Sequence, residues 1–338
     1  MTVINGIEID HIKYRQNIIK YAIQNNTPIE DKLNVIIVIS NPCLYARRYI
    51  LAKEFIKRME MEEEHINLFV VELIYDYKNQ KYILTDKNNK NHLQIKTDIP
   101  IWHKENMINL GVKYLLPEKW KAFAWIDADI EFDSCTWALD TLKLLNGTFD
   151  ILQLWSHAAD LDKNDDSMQN FTSAGYQYIK SNMIFKKNNG LNYSHPGYAW
   201  AITRKAYEKI GGLYELSILG SGDHNMMMSL FGLGIQSINS LTTDNYKKSI
   251  IEYEKNIKKL RFGYVPGLIR HYYHGSKKNR KYMERWNILV DNKFDPYKHL
   301  THDDKGILIP TDKCPKQLLD DIMIYFIERN EDEGFSNK

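Results

Sequence analysis

Stretches of apolar residues alternate with amphipathic stretches along the first half of the chain. Asn34 to Ser40 is a continuous, β-branched apolar run, which is typical of a buried strand in a parallel sheet. Apolar residues recur at helical spacing over 45–62, and a second strand-like run covers 66–75. This order predicts an α/β fold with right-handed crossovers. The alternation continues with a helix at 103–115, a strand within 121–132, a helix at 135–146 and a strand at 150–155.

The pattern in the second half is less regular. The polar stretch 76–100 predicts a hairpin or a loop. The stretch 156–195 carries several aspartates and predicts a solvated loop, although a surface loop near a site can also shape substrate choice. The aspartates are Asp160, Asp162, Asp165 and Asp166. Order is predicted to resume with a strand at 198–203, a helix from Arg204 that stops at Gly211-Gly212, a helix from Asp223, and an amphipathic helix at 315–329 before an acidic tail.

Composition narrows the class of protein. The chain has 338 residues, of which 43% are hydrophobic and 26% charged, so it is neither disordered, collagen-like nor a coiled coil. The formal net charge of +2 argues against a dedicated nucleic-acid binder. The three cysteines, Cys43, Cys135 and Cys314, form no CxxC pair, which indicates a reduced protein without a zinc motif.

Targeting signals are not evident in the sequence. Met1 to Asp10 lacks the basic and apolar regions of a signal peptide. No run approaches the roughly 18 uninterrupted apolar residues of a membrane span. We therefore expect a cytoplasmic protein without a membrane-spanning segment.

The strongest chemical signal is Asp127-Ala128-Asp129, directly after a predicted apolar strand. Ligands bind at the carboxyl ends of strands in open α/β sheets. Two carboxylates at this spacing can share Mg²⁺ or Mn²⁺, and such an ion would neutralise a diphosphate leaving group. The alternative is a pair of aspartates that cap the next helix.

His271 and His274 form a second motif, followed by Lys277 and Arg280. Histidines three residues apart can supply a metal ligand, and the cations that follow can contact phosphates. The alternative for this stretch is a surface loop rich in aromatic and basic residues.

Two further motifs complete the candidate chemistry. Asp223 follows glycines at a helix start, where it could act as a general base or as a plain N-cap. Arg47 and Arg48 follow the first strand and could hold a diphosphate by paired hydrogen bonds, or could be exposed helix residues.

In this order the motifs resemble those of GT-A glycosyltransferases over about Asn34 to Arg285. Within that class the resemblance is strongest to the inverting β-1,4-galactosyltransferase-like group and to related galactosyl- and N-acetylgalactosaminyltransferases. It is carried by Lys104–Gly111, Asp127–Asp129, the segment from Gly197 to Gly212, the acidic GSGD motif at 220–223 and Ile269–His271.

The resemblance implies a GT-A fold, a Rossmann-like nucleotide-sugar-binding sheet flanked by helices, within a catalytic domain at 34–285. An N-terminal segment at 1–33 and a C-terminal helical extension at 286–338 would flank it. The implied partners are a nucleotide sugar and a glycan, protein or lipid-linked acceptor.

It also implies roles for single residues. Asp129 and His271 would bind Mn²⁺, or Mg²⁺, and Asp127 would contact the nucleotide or a water on the metal. Asp223 would be the catalytic base, and Arg47 or Arg48 would bind the nucleotide end of the donor. Leu268 replaces a sulfur ligand of some relatives, so that His274 or water would complete the metal shell.

The predicted function is metal-dependent transfer of a hexose or N-acetylhexosamine from a UDP-sugar to an acceptor hydroxyl, with inversion. One alternative is a non-catalytic nucleotide- or sugar-binding relative, since GSGD holds a single aspartate where the family has a longer acidic string. A second alternative is a haloacid dehalogenase-type phosphatase with Asp127 as nucleophile. The mid-chain position of the motif and the Ile130-Glu131-Phe132 that follows it argue against the phosphatase.

Overall fold

The computed structural model describes residues 3–4, 7–8, 20, 24, 27–62, 64–76, 79–185 and 193–335. Much of the predicted N-terminal segment, 1–33, lies outside these residues. The domain boundaries at 33 and 285 therefore stay a prediction. None of the described helices combines the length and the apolar character needed to cross a bilayer.

The strands are short except for β3 and β4. In chain order they are β1 (Val3–Ile4), β2 (Ile7–Glu8), β3 (Leu33–Ser40), β4 (Ile66–Tyr75), β5 (His92–Thr97), β6 (Ala122–Ile126), β7 (Ile130–Phe132), β8 (Ile151–Gln153), β9 (His157–Leu161), β10 (Ser167–Ser173), β11 (Ser194–His195), β12 (Ala199–Thr203), β13 (Phe262–Tyr264), β14 (Leu268–His271), β15 (Leu300–His302) and β16 (Leu308–Pro310).

The described α-helices connect and cover these strands. They are α1 (Ala46–Glu62), α2 (Lys104–Tyr114), α3 (Trp137–Leu145), α4 (Ala174–Lys180), α5 (Arg204–Ile210), α6 (Gly222–Leu230), α7 (Asp244–Ile257), α8 (Trp286–Asp291), α9 (Pro296–His299) and α10 (Lys316–Glu328).

The central sheet has seven strands in the order β5-β4-β3-β6-β12-β8-β13. Within it only β12 runs antiparallel to its neighbours. The chain leaves β3 toward β4 and β5, then returns to add β6 on the other side of β3. This reversal is a topological switch point, and ligands of such sheets bind at the carboxyl ends of the two strands that flank it.

Apolar side chains cover both faces of this sheet. Val35 and Ile37 of β3 belong to a cluster that contains Phe55 of α1, whereas Ile36 belongs to another cluster that contains Met107 of α2. Successive strand residues point to opposite faces, so the continuous apolar run of β3 is explained by burial on both sides. The predicted α/β class, with a Rossmann-like sheet between helices, is confirmed.

A second sheet, β11-β10-β9-β14-β7, lies beside the carboxyl end of β6. Strand β14 lies in it between β9, with which it pairs in parallel, and β7, with which it pairs antiparallel. The register places His271 opposite Ile130 on one side and opposite Asp160 on the other. Residues far apart in the sequence thereby meet at one point.

Three sequence predictions are corrected. The stretch 76–100 is not only a loop or hairpin, since β5 adds a parallel strand to β4. The strand predicted within 121–132 is broken after Ile126, and the chain changes sheet at the DAD motif. The stretch 156–195 is not one solvated loop: it contains β9, β10, α4 and β11, and Asp160 is buried.

Candidate functional site

A cleft of about 730 Å³ lies at the switch point. Its floor contains the end of β3, from Val38 to Ser40, and the DAD motif that follows β6. The described residues that line it include the sequence candidates Arg48, Asp127, Asp129, Asp223, His271, His274, Lys277 and Arg280. The sequence therefore identified most of the charged lining, and only Arg47 among its candidates is not part of it.

Asp129, His271 and His274 form a compact cluster on the cleft wall. One ligand atom from each side chain can be chosen so that all lie within 4.8 Å of one another. The Oδ2 atom of Asp129 lies 2.9 Å from Nε2 of His274 and 3.7 Å from Nε2 of His271. The cluster follows from the β7–β14 pairing, which continues as the amide of Tyr272 donates to the carbonyl of Asp129 at 2.8 Å.

The chemistry of this cluster fits a divalent metal ion. Oδ1 of Asp129 is buried and has no hydrogen-bond partner among the described residues. A buried carboxylate oxygen without a partner destabilises the fold unless a cation or a hydrogen-bond donor from a ligand contacts it. Two imidazoles and one carboxylate favour a transition-metal ion over Mg²⁺, which prefers oxygen ligands alone.

Asp160 supports the cluster from behind. Its Oδ1 accepts hydrogen bonds from Tyr198 Oη at 2.6 Å and from His271 Nδ1 at 3.0 Å, and its Oδ2 pairs with Lys277. The bond to Nδ1 turns Nε2 of His271 toward Asp129. A carboxylate behind a metal-binding histidine fixes the tautomer and the ring orientation in this way.

Burial and charge act in opposite directions on these groups. Burial would raise the pKa of Asp160, but hydrogen bonds from His271, Lys277 and Tyr198 hold it well below its usual range. Burial would likewise lower the pKa of His271, yet the carboxylates of Asp129 and Asp160 raise it to about 9. A metal ion at Nε2 would have to displace that proton, which predicts weaker metal binding at low pH.

A second charged group links the DAD motif to Asp223. The ammonium of Lys104, at the start of α2, lies 2.6 Å from Oδ1 of Asp127 and 3.2 Å from Oδ2 of Asp223. Burial, with the nearby charges of Asp223 and Asp129, raises the pKa of Asp127 to about 6. Burial also raises the pKa of Glu105, the next residue in α2, to about 8, so a third carboxyl group lies close to this ion-paired group.

Unusual backbone conformations hold these groups in place. Gly220 and Ser221 have φ values of 84° and 77°, and they turn the chain so that Asp223 enters the first turn of α6 at the cleft. Tyr198 has a φ of 81°, and its carbonyl accepts the amide of Asp127 at 2.8 Å. For a residue with a side chain this conformation is strained, and it persists only where its surroundings fix it.

The remaining cationic candidates differ in position. Arg280 Nη2 lies 2.7 Å from Nε2 of His274, and Lys277 pairs with Asp160. Arg48 is engaged by the carboxylate of Glu331 at 2.6 Å. Arg47 points elsewhere, with Nε donating to the carbonyl of Tyr273 at 2.9 Å.

Among the groups of the site that sequence reasoning missed are Lys104, Asp160, Tyr198, Arg285, Arg329 and Glu331. Lys104 and Tyr198 lay inside segments that carried the family resemblance, but nothing in their spacing marked them. Asp160 sat within an acidic run that looked like solvent-exposed loop, and Glu331 within an acidic tail. In each case the signal is a partner distant in the sequence.

No family model and no curated sequence matches this chain. A structure search finds a mannosyltransferase, PcManGT from Pyrobaculum calidifontis, solved with GDP-Man and Mn²⁺. The similarity covers 91% of this chain and 76% of that one, at 10% sequence identity and a TM-score of 0.40.

Replacing Lys104 tests the charge balance of the cleft. We expect Lys104→Met to lower the free energy of unfolding at pH 7 by about 1–3 kcal/mol, because it leaves Asp127 and Asp223 uncompensated. The value is below that of a fully buried pair since these side chains are 27% and 22% exposed. Chemical denaturation at pH 7 and pH 5 measures it.

The loss of unfolding free energy in Lys104→Met should be smaller at pH 5 than at pH 7. Without the ammonium the pKa of Asp127 rises above its wild-type value of about 6, so the folded variant binds more protons than folded wild type over this pH range and gains more stability as the pH falls. Lys113→Met, on an exposed position of the same helix, is the matched control and should stay within about 0.5 kcal/mol of wild type. An equal loss of unfolding free energy in both variants, or a loss in Lys104→Met that does not depend on pH, would contradict the role of Lys104 in compensating Asp127 and Asp223.

Proposed function

We propose that this chain is a divalent-metal-dependent glycosyltransferase that moves a hexose or N-acetylhexosamine from a nucleotide sugar to a hydroxyl of a glycan acceptor. The observation that carries the proposal is the meeting of the Asp129–His271–His274 cluster and the Asp127–Lys104–Asp223 group in one cleft at the switch point. The first suits the metal and diphosphate of a donor, and the second places a carboxylate for an acceptor hydroxyl. The UDP-type donor, the galactosyltransferase-like group and a cytoplasmic location are the finer parts of the proposal, and they come from the sequence.

On the donor side, Asp129, His271 and His274 would hold Mn²⁺. When bound, the ion offsets the negative charge that develops on the departing diphosphate. His274 would use the lone pair of Nε2 for the metal, so the guanidinium of Arg280, now 2.7 Å from that nitrogen, would turn to another acceptor. The phosphate oxygens of the donor are acceptors that match its fork of N–H groups.

On the acceptor side, Asp223 would accept the proton of the attacking hydroxyl. The hydroxyl oxygen forms a bond to the anomeric carbon as the bond from that carbon to the diphosphate oxygen breaks, and one such displacement inverts the anomeric centre. Lys104 holds the Asp223 carboxylate in place while it also binds Asp127. Proton acceptance by a positioned carboxylate contributes about 10²–10⁴-fold to a rate.

Nucleotide binding tests the donor half. We expect UDP with Mn²⁺ at about 100 times its Kd to raise the melting temperature by about 3–6 °C, since such binding adds about 2.7 kcal/mol to stability. UDP without metal should give a much smaller shift. In Asp129→Asn the metal-dependent part should disappear, because the carboxylate at the centre of the cluster is lost.

Asp133→Asn is the matched control, since this aspartate follows β7 closely but is about half exposed and pairs with Arg270 away from the cluster. It should keep the wild-type shift. GDP, CDP and dTDP in parallel identify the nucleotide. The absence of any metal-dependent shift with all four nucleotides would overturn the proposal.

The catalytic half is tested with Asp223→Asn. We expect this variant to keep the metal-dependent nucleotide shift but to lose about 100-fold or more in the rate of UDP release from a UDP-sugar with an acceptor present. A wild-type protein that binds nucleotide but turns over no UDP-sugar, with or without an acceptor mixture, would instead support the non-catalytic binding alternative.

A further inference from the structure

The chain returns to the cleft after α10. The segment Arg329–Phe335, here named the C-terminal strap, lies against the start of α1. The carboxylate of Asp332 accepts the amides of Ala46 at 3.0 Å and Arg47 at 2.8 Å, the first two amides of that helix. It thereby caps the N-terminus of the helix, although the two segments are separated by more than 280 residues.

The strap also packs on the loop that carries His274. Gly275, the next residue, has a φ of 88°. A Cβ atom there would lie 2.9 Å from the carbonyl oxygen of Asn330 and 3.0 Å from Cα of Glu331. The loop and the strap therefore approach so closely that only glycine fits, which fixes the strap beside the metal-binding cluster.

Glu331 is the buried centre of the strap, with only 2% of its surface exposed. It accepts from Arg48 through Nε at 2.8 Å and Nη2 at 2.6 Å, and from Arg329 through Nε at 2.8 Å and Nη2 at 2.7 Å. Oε2 of Glu331 also lies 3.8 Å from Nδ1 of His274. One carboxylate thus holds two guanidinium groups in fixed orientations at the cleft.

Charge at this end of the cleft favours an anion. Arg48 and Arg329, both bound to Glu331, line it together with Arg280, which contacts His274, so guanidinium groups outnumber that carboxylate here. The guanidinium of Arg329 is also held over the ring of Trp102, 5.2 Å from its centroid. Guanidinium groups bind phosphate oxygens through paired hydrogen bonds, and groups already held in place lose less entropy on binding.

We propose that the C-terminal strap is part of the diphosphate-binding site, with Arg329 as a phosphate-binding residue and Glu331 as the positioning residue for Arg48 and Arg329. This rests on the proposed function, because it names the part of the donor that this end of the cleft receives. The ligand is the diphosphate group itself, and the nucleoside and the sugar are bound elsewhere.

The direction in which Glu331→Gln changes the affinity for diphosphate distinguishes a positioning role from competition with the ligand. If Glu331 positions the arginines, Glu331→Gln weakens diphosphate binding. If Glu331 instead occupies the place of a phosphate and competes with it, the same change tightens binding. If the strap only stabilises the fold, the affinities for ligands with and without a diphosphate change by the same factor.

The experiment is calorimetry with saturating Mn²⁺ on the full chain, with pyrophosphate, UDP and uridine as probes. We expect Glu331→Gln and Arg329→Gln to weaken pyrophosphate and UDP by about tenfold or more, the effect of one lost hydrogen bond to a charged group. Uridine affinity should change less than about twofold. Glu333→Gln is the matched control, since Glu333 is exposed in the same strap and bonds Asn279.

Unchanged or tighter pyrophosphate binding in Glu331→Gln, or an equal loss for uridine, would overturn the inference. If that variant does not fold by circular dichroism, amide exchange of the wild type decides: Mn²⁺-pyrophosphate should slow exchange at 329–335, and no slowing there refutes the role. Failure of the proposed function is separate. It shows as pyrophosphate binding that depends on Glu331 while UDP gives no metal-dependent binding.

Discussion

A carboxylate that leaves water costs several kcal/mol unless cations or hydrogen-bond donors receive it. The rest of this cleft is arranged around that constraint, because five carboxylates line it: Asp127, Asp129, Asp160, Asp223 and Glu331. Four of them form ion pairs with lysine or arginine: Asp127 and Asp223 with Lys104, Asp160 with Lys277, and Glu331 with Arg48 and Arg329. The exception is Asp129, which faces two imidazoles and has one buried oxygen without a partner among the described residues. This exception marks where an added cation is most useful.

Topology brings these charges together. The switch between β3 and β6 opens the cleft, and the DAD motif passes the chain from the central sheet to the second sheet. There β14 carries His271 between β7 and β9, so that Asp129 lies at one side and Asp160 at the other. The C-terminal strap then closes the far end by capping α1. Lys104 links Asp127 of the DAD motif to Asp223 at the start of α6.

Much of the fold could be predicted because it depends on local pattern. Strands β3 and β4 and helix α2 were predicted to within about one residue, since burial on two faces or at helical spacing leaves a clear signature. Strand β5 was missed because only Ile95 in it is buried and its order depends on pairing with β4. The candidate metal ligands were found through motif types. The supporting carboxylates Asp160 and Glu331 were not identified, because an acidic run resembles an exposed loop or tail. Only the three-dimensional structure reveals their partners, His271 and Arg48.

We propose that Asp129, His271 and His274 hold one divalent ion at the cleft. Crystals grown with Mn²⁺ and UDP, measured at the manganese absorption edge, test it most directly. We expect one strong anomalous peak within coordination distance of all three side chains, with the diphosphate on its open side. A peak held instead by Asp127 and Asp223, or no peak in the cleft while UDP is bound there, would contradict it.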